Sequence, residues 1–286
     1  YKEAGIEIRK IAQALIAMDY APKSKIALLS KNCSHWIMAD LAIQMSGHIS
    51  VPIYPTINAN SIAEIMSHSE SKAVIVGKLD NYEAQKSGLE EFTKIGIKAY
   101  QVEEKLNWED MVAQNEALTE VPEQNPEDLL TIMYTSGTTG SPKGVMHRVG
   151  SFNAVTNTAV SAIAINASKP RFFSYLPLTH IAERIGIEMF GLYQGGSFNF
   201  PLSIETFADD LAATQPDLFF AVPRIWTKFQ DSILNTIPQK KLDLLLSIPI
   251  INNIIRKKIK KKLGLLNTQA IFTGAAPISI SQLIWF

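Results

Sequence analysis

Residues Leu129–Val145 read L-L-T-I-M-Y-T-S-G-T-T-G-S-P-K-G-V, an apolar run followed by small, hydroxylated and glycine residues that close on a lysine. The apolar part, Leu129–Tyr134, has the length and composition of a buried β-strand. The part from 134 to 145 holds three glycines, at which the backbone can turn tightly. The segment therefore predicts a strand followed by a loop whose N–H groups can converge on one anion.

The side chains of this loop favour a polyphosphate ligand. Its hydroxyl groups are hydrogen-bond donors, and its lysine supplies a compact positive charge on a flexible stem. The candidate phosphate-binding residues are Thr135, Ser136, Gly137, Thr138, Thr139, Gly140 and Lys143. A plain surface turn is the alternative, but a turn does not require four hydroxyls, three glycines and a Pro-Lys-Gly ending.

The Walker-type phosphate loop, G-x-x-x-x-G-K-[ST], is the obvious rival for this segment. Five places after Gly137 the chain has Pro142 instead of the second glycine. Lys143 is followed by Gly144, which has no hydroxyl to bind magnesium. The spacing therefore excludes a Walker loop.

The segment instead resembles the phosphate loop of the adenylate-forming enzymes, the superfamily of acyl-CoA synthetases, luciferases and peptide-synthetase adenylation domains. Further blocks narrow the resemblance to long-chain fatty acyl-CoA synthetases. They are similar to the L-P-L-x-H-x-x-E-R, V-P-R and G-A-A-P blocks of that family and occur in the family's order, over Tyr175–Arg184, Ala221–Trp226 and Thr273–Ile278. The N-terminal stretches Ile26–Asn32 and Val51–Thr56 are also similar to these synthetases. Residues 1–286 are therefore interpreted as a partial AMP-binding (adenylation) domain.

The resemblance implies an α/β fold, the large N-terminal domain of the adenylate-forming enzymes with stacked sheets built from β/α units. The small C-terminal domain of the family is expected to be absent from this chain. The alternation of apolar and amphipathic runs agrees with β/α units. Strands are predicted over Lys25–Ser30, Val51–Tyr54, Ala73–Val76 and Gln269–Phe272, and helices over Ser34–Met45, Ser61–His68 and Ile181–Tyr193.

The resemblance also implies a reaction, the ATP- and Mg²⁺-dependent activation of a long-chain fatty acid to an acyl-adenylate, followed by transfer to coenzyme A. Both ends of the chain look cut, so this piece is expected to be inactive by itself and its parent to be a long-chain fatty acid–CoA ligase. Two alternatives remain. One is an adenylate former that passes the acyl group to a carrier protein, and the other is a non-catalytic nucleotide- or lipid-binding remnant.

Candidate catalytic residues are Lys143, for the departing pyrophosphate, and His180 in the L-P-L block, which the resemblance places near the fatty carboxylate or the path of the thiol. A histidine satisfied by local hydrogen bonds at a helix start is the alternative for His180. Gly274, Ala275, Ala276 and Pro277 are the candidate adenine-binding residues, because small side chains let the backbone lie against a purine. Trp226 could gate an acyl tunnel or simply belong to the core. No metal-ligating residue is assigned within the chain.

Composition places the chain among ordinary globular proteins. Of its 286 residues 47% are apolar, and 27 basic residues balance 27 acidic ones, so no bulk charge is available to recruit nucleic acid. The single cysteine, Cys33, excludes a disulfide framework and fits a reducing compartment. No apolar run is long enough to span a bilayer. A cytoplasmic location is expected.

One strongly charged run departs from this balance. Six cations occupy seven positions beside the apolar stretch Ile248–Ile255, namely Arg256, Lys257, Lys258, Lys260, Lys261 and Lys262. Such a run is usually a solvated helix face. The alternative is peripheral contact with anionic lipid, which suits an enzyme whose substrate partitions into membranes.

Overall fold

A computed structural model describes residues 1–135 and 142–286. The described chain divides into two compact units. The first comprises Tyr1–Val155 and Leu176–Arg184, and the second comprises Thr156–Tyr175 and Ile185–Phe286. The short segment Leu176–Arg184 thus belongs to the first unit, although the sequence on both sides of it belongs to the second.

The first unit is built on a seven-stranded sheet with the strand order β5-β4-β3-β1-β2-β6-β7. All neighbouring strands are parallel except β6 and β7, which form an antiparallel hairpin. The strands are β1 (Lys25–Leu29), β2 (Ile49–Ile53), β3 (Ala73–Val76), β4 (Thr93–Gly96), β5 (Leu106–Asn107), β6 (Leu129–Thr135) and β7 (Lys143–Arg148). The helices are α1 (Lys2–Ala17), α2 (Ser34–Met45), α3 (Ala59–Ser69), α4 (Glu83–Lys86), α5 (Trp108–Gln114), α6 (Val149–Ala162), which continues into the second unit, and α7 (Ile181–Glu183).

The core of this unit explains why its central strands are continuous apolar runs. One residue in two along β1, β2 and β3 packs in a cluster with Ile62, Ile65 and Met66 of α3. The residues between them are buried too, and α2 packs against β1 and β2. Because helices cover both faces, the strands show no alternation of polar and apolar residues.

The second unit contains a four-stranded parallel sheet with the order β11-β10-β8-β9. Its strands are β8 (Arg171–Phe173), β9 (Ser197–Asn199), β10 (Leu218–Ala221) and β11 (Ala270–Thr273). Its helices are α8 (Phe190–Tyr193), α9 (Phe207–Thr214), α10 (Pro223–Thr236), α11 (Gln239–Ser247), α12 (Ile251–Lys262) and α13 (Ile280–Trp285). Aromatic residues dominate its core, with Phe172, Phe173 and Phe219 each at most 1% exposed.

The helix predicted over Ile181–Tyr193 is present, but it is not uniform. Between α7 and α8 the residues Arg184–Met189 form a π-helix. A π-helical turn is rare and is often found at functional sites. It begins with Arg184, whose side chain is completely buried.

Candidate functional site

The two described ends of the phosphate loop face each other across the β6–β7 hairpin. Thr135 is the last residue of β6 and pairs with Lys143, the first residue of β7. Both are exposed. The hairpin therefore holds a hydroxyl and an ammonium group at the base of the loop. The other candidate phosphate-binding residues, Ser136, Gly137, Thr138, Thr139 and Gly140, lie outside the described residues.

Close packing at the base of the loop explains one glycine of the motif. A Cβ at Gly144 would lie 2.8 Å from Cγ2 of Ile132 and 3.2 Å from Cζ of Tyr134. The Tyr134 hydroxyl is hydrogen-bonded to Nδ1 of His68 at 2.7 Å. Burial raises the pKa of the Tyr134 phenol, so this side chain stays protonated at neutral pH. Gly144 is thus required to let β7 approach a fixed aromatic ring.

A completely buried ion pair lies under β6. Both carboxylate oxygens of Asp40 accept hydrogen bonds from Nη2 of Arg184, and Nη1 of Arg184 donates to the hydroxyl of Thr131 at 2.7 Å. The Thr131 hydroxyl donates to the carbonyl of Ser50 at 2.8 Å. Ser50 and Gln44 side chains donate to the two Asp40 oxygens. The network links α2, β2 and β6 to the last residue of the L-P-L block.

Two aromatic rings complete the surroundings of Arg184. Its guanidinium carbon lies 5.6 Å from the ring centroid of Trp36 and 5.5 Å from that of Phe152. These distances are typical of cation–π contacts, which gain strength when the cation is shielded from water. The positive charge also contributes, after burial, to a lowered pKa of His147. These contacts indicate a structural role for Arg184. Its pairing with the distant Asp40 was not predicted from the sequence.

The start of the L-P-L block is held by a residue from the N-terminal part of the chain. Asn32 follows β1, and its Nδ2 donates to the carbonyl of Leu176 at 2.7 Å. Its Oδ1 accepts from the N–H of Leu178 at 3.1 Å. One amide side chain thus joins two sequence blocks that are 144 residues apart.

His180 lies at the N-terminus of α7 with an exposed side chain. Its Nδ1 accepts a hydrogen bond from the N–H of Ala182 at 3.2 Å, so in this geometry the ring proton of a neutral imidazole is on Nε2. The structural alternative for His180 predicts a local hydrogen bond of this kind. No residue within 1–135 and 142–286 is hydrogen-bonded to Nε2, and the catalytic interpretation stays a prediction.

The G-A-A-P block follows β11 at the carboxyl edge of the parallel sheet of the second unit. In open parallel sheets this edge is where ligands bind. Ala275 has a φ of 64°, a left-handed conformation that non-glycine residues rarely adopt. Ala275, Ala276 and Pro277 are exposed, and Gly274 is half-buried. The strained, accessible backbone is consistent with the adenine-binding prediction, which no contact in this structure tests.

An apolar cavity of about 530 Å³ lies in the second unit beside this block. Thr273 and Ile278 line it from either side of the block, together with Trp226 and Ile233 of α10. Trp226 is only 5% exposed and packs edge-on against Phe219. Trp226 is therefore both a core residue and a wall of a cavity large enough for part of an acyl chain.

The chain was compared with families and proteins of known sequence. The AMP-binding enzyme family matches residues 1–286.

The chain belongs to the AMP-binding enzyme family.

Curated relatives of this family member include the long chain acyl-CoA synthetase 5 of Arabidopsis thaliana, 29% identical over 98% of this chain and 48% of that protein. The fatty acyl-CoA synthetase A of Dictyostelium discoideum is 28% identical over 97% of this chain and 46% of that protein. The chain thus spans about half the length of the curated relatives it matches. The predicted resemblance to long-chain acyl-CoA synthetases is confirmed.

Solved structures of AMP-binding enzymes share the fold. The inhibitor-bound N-terminal domain of FACL13 from Mycobacterium tuberculosis aligns with a TM-score of 0.74 and 21% identity, covering 99% of this chain and 65% of that one. The anthranilate CoA ligase AuaEII in complex with anthranoyl-AMP aligns with a TM-score of 0.78 and 17% identity, covering 98% of this chain and 51% of that one. The predicted fold, the large N-terminal domain of adenylate-forming enzymes, is confirmed.

The basic run of this AMP-binding domain forms most of α12. All six cations are exposed, and Ile250 and Ile254 beside them are 76% and 49% exposed. Within residues 1–135 and 142–286, no carboxylate lies within 4 Å of these cations. Arg256 and Lys260 also border the apolar cavity. No helix in the described part of the chain is long and apolar enough to cross a membrane.

Proposed function

We propose that the protein carrying this chain activates a long-chain fatty acid with ATP and transfers the acyl group to coenzyme A. The observation that carries the proposal is the similarity, over 97–98% of the chain, to proteins named long chain or fatty acyl-CoA synthetases. The apolar cavity beside the G-A-A-P block supports an acyl substrate, because its walls offer mainly hydrocarbon contacts.

In the first step a carboxylate oxygen of the fatty acid attacks the α-phosphorus of ATP. A new phosphorus–oxygen bond forms, the bond to the bridging oxygen breaks, and pyrophosphate leaves with the electron pair. Lys143 and the hydroxyls of Thr135, Ser136, Thr138 and Thr139 would stabilise the charge that develops on this leaving group. Gly274–Pro277 would form the wall for the adenine.

In the second step the sulfur of coenzyme A attacks the acyl carbonyl carbon, AMP leaves, and the thiol proton passes to solvent. His180 would orient the fatty carboxylate in the first step or line the path of the thiol in the second. Both roles use the exposed Nε2, because Nδ1 is occupied by the N–H of Ala182.

Magnesium is proposed as the ion that accompanies ATP, and no step is assigned to it. Within 1–135 and 142–286, no group of three His, Cys, Asp or Glu side chains is placed to hold a metal ion.

We also propose a cytoplasmic protein that touches membranes peripherally. The single cysteine, Cys33, is buried and has no second cysteine in the chain to pair with, which suits a reducing compartment. Membrane contact would use the six cations of α12 together with the exposed Ile250 and Ile254. Cations and apolar side chains that share one exposed helix suit an anionic lipid surface.

Exchange of labelled pyrophosphate into ATP by the complete protein tests the ligase proposal. We expect exchange that depends on palmitate, and formation of palmitoyl-CoA when coenzyme A is added. Pyrophosphate exchange without formation of palmitoyl-CoA would favour the alternative adenylate former, which passes the acyl group to a carrier protein. Binding of ATP or palmitate without exchange would favour the non-catalytic remnant and contradict the proposal.

A further inference from the structure

The segment Leu176–Arg184 is held at both ends by side chains far away in the sequence. Its first residues bond to Asn32, and its last residue, Arg184, bonds to Asp40 and Thr131. His180 lies between the two attachments. The segment is packed within the first unit, although the chain on either side belongs to the second.

The chain next to Asn32 is held in place by hydrogen bonds of its own. Asn32 follows β1, where the Ser30 hydroxyl accepts the N–H of Lys78 at 2.9 Å and the Lys31 N–H donates to the Lys78 carbonyl at 2.8 Å. These bonds fix the end of β1 to the end of β3. The Asn32 amide is thus presented to the L-P-L block by two neighbouring strands of the sheet.

The bonds made by Asn32 lead directly to His180. They fix Leu176 and Leu178, the neighbours of Pro177, whose carbonyl accepts the N–H of His180 at 2.8 Å. The ring of Pro177 further restricts this turn. The position of the His180 backbone therefore depends on a turn that Asn32 closes.

The attachment at Arg184 fixes the other side of His180. The N–H of Arg184 donates to the His180 carbonyl at 3.1 Å, and its guanidinium is anchored in the buried network under β6. Thr131, a member of that network, is four residues before Thr135 on the strand that leads into the phosphate loop. The segment and the phosphate-loop strand thus share one anchor.

We propose that Asn32 is a positioning residue that fixes the L-P-L turn and thereby the direction of His180 Nε2, while Arg184 anchors the same segment to the phosphate-loop strand. This inference rests on the first role proposed for His180, the orientation of the fatty carboxylate during formation of the acyl-adenylate. The hydrogen bonds from Asn32 to Leu176 and Leu178 carry its effect on the reaction through the turn at Pro177.

A double-mutant cycle in the complete protein tests the inference. We expect Asn32→Leu to slow palmitate-dependent pyrophosphate exchange about tenfold, because misplacement of an orienting group is costly, with the KM for ATP unchanged. The double variant Asn32→Leu/His180→Ala should be no slower than His180→Ala alone. Effects that multiply, or no effect of Asn32→Leu, would overturn the inference and leave the ligase proposal standing.

Asn107→Leu is the matched control. Asn107 also donates to a carbonyl and accepts an N–H, both of Glu104. Its replacement removes the same kinds of hydrogen bond in β5, at the edge of the sheet. The exchange rate of this variant should stay within about twofold of the unmodified protein. An equal slowing in both variants would mean that Asn32 acts only through general stability, against the inference.

Amide hydrogen exchange gives a readout that does not depend on activity. In Asn32→Leu, peptides that cover 176–184 should exchange faster while peptides of β1, β2 and β3 do not change. Faster amide exchange throughout the first unit, or unchanged amide exchange in 176–184, would overturn the positioning role. If the unmodified protein shows no palmitate-dependent exchange of pyrophosphate, the proposed function fails, and hydrogen exchange still decides the structural half of the inference.

Discussion

At the scale of single residues, the buried pair of Arg184 and Asp40 is the feature with the largest expected energetic effect. Neither side chain is exposed, and both have several hydrogen-bond partners. Two buried charges attract strongly but lose their hydration, so removing one partner leaves the other charged and uncompensated. The sequence places these residues 144 positions apart, and no local pattern predicts their pairing.

Arg184→Met is therefore expected to lower the free energy of unfolding by about 3–5 kcal/mol. Urea denaturation followed by circular dichroism measures this loss. The matched control is Arg148→Met, because Arg148 pairs with Glu127 at the surface, where both side chains are more than 60% exposed. The control should lose at most about 1 kcal/mol. Equal losses in the two variants would show that the buried network contributes no special stability.

Gly144 makes a second prediction at this scale. An alanine there brings a Cβ to 2.8 Å from Ile132, closer than real contacts allow, so β7 must shift. Gly144→Ala should destabilise the protein by about 1–3 kcal/mol. Gly5→Ala in α1 is the control, since no described atom outside the adjacent residues and the local helix backbone lies within 4 Å of the added Cβ. Alanine also favours the helix by up to about 1 kcal/mol. Thermal melting tests both expectations: the melting temperature should fall in Gly144→Ala and rise in Gly5→Ala.

Thr138 carries a prediction about the chemistry of the loop. Thr138→Ala would remove the hydrogen bond proposed between this hydroxyl and a charged phosphate, worth about 1.5–3 kcal/mol. Pyrophosphate exchange by the complete protein should slow by about ten- to a hundredfold with its melting temperature unchanged. A rate equal to that of the unmodified protein would remove Thr138 from the phosphate-binding set.

At the scale of helices and strands, sequence prediction succeeded where burial imposes a simple pattern. The β1 and β3 strands are apolar runs covered on both faces, and α2 has the bounds predicted for it. The short strands β4 and β5 were not predicted individually, since T-K-I-G and L-N carry neither length nor alternation. The π-helix at Arg184–Met189 has no sequence signal of its own, and it begins at a residue whose partners Asp40 and Thr131 are distant in the sequence.

The same contrast holds for the site. The phosphate loop was predicted from the chemistry of its residue types, and the L-P-L and G-A-A-P blocks were predicted from their resemblance to blocks of the family. Asn32 was noticed only as part of a similar stretch, and its proposed role depends on contacts with Leu176 and Leu178, which lie 144 and 146 residues away. Long-range pairing of this kind is set by topology and cannot be predicted from local patterns.

The α12 helix makes the prediction that belongs to this scale. If its cations touch lipid, each contributes about 1 kcal/mol near an anionic bilayer. Replacing Lys260, Lys261 and Lys262 by Gln should then weaken binding to phosphatidylserine vesicles by about two orders of magnitude at low salt. Cosedimentation of the complete protein with vesicles measures this binding, and exchange of pyrophosphate driven by a soluble medium-chain acid should be unchanged.

A charge-matched control separates a specific surface from a general loss of charge. Lys2, Lys105 and Lys169 are exposed and have no carboxylate within 4 Å in the described part of the chain. Their replacement by Gln removes the same net charge away from α12. Equal vesicle binding by the α12 variant and the unmodified protein would leave only a solvated helix face, and equal weakening by both variants would indicate non-specific attraction.

At the scale of the whole molecule, two units carry different parts of the proposed chemistry. The first contains the phosphate-loop hairpin, Asn32 and His180, and the second contains the G-A-A-P block, the apolar cavity and α12. Family membership and the fold rest on matches along the entire chain. The central claim that remains to be measured is chemical: the fatty carboxylate attacks the α-phosphorus of ATP.

Transfer of an oxygen label measures this claim most directly. Palmitate labelled with ¹⁸O in its carboxylate is incubated with ATP, coenzyme A and the complete protein, and the nucleotide product is examined by mass spectrometry. Attack at the α-phosphorus places a carboxylate oxygen on AMP, and the later cleavage of the acyl carbon–oxygen bond leaves it there. The account predicts AMP that carries one ¹⁸O atom. Unlabelled AMP, or ADP together with labelled inorganic phosphate, would contradict it.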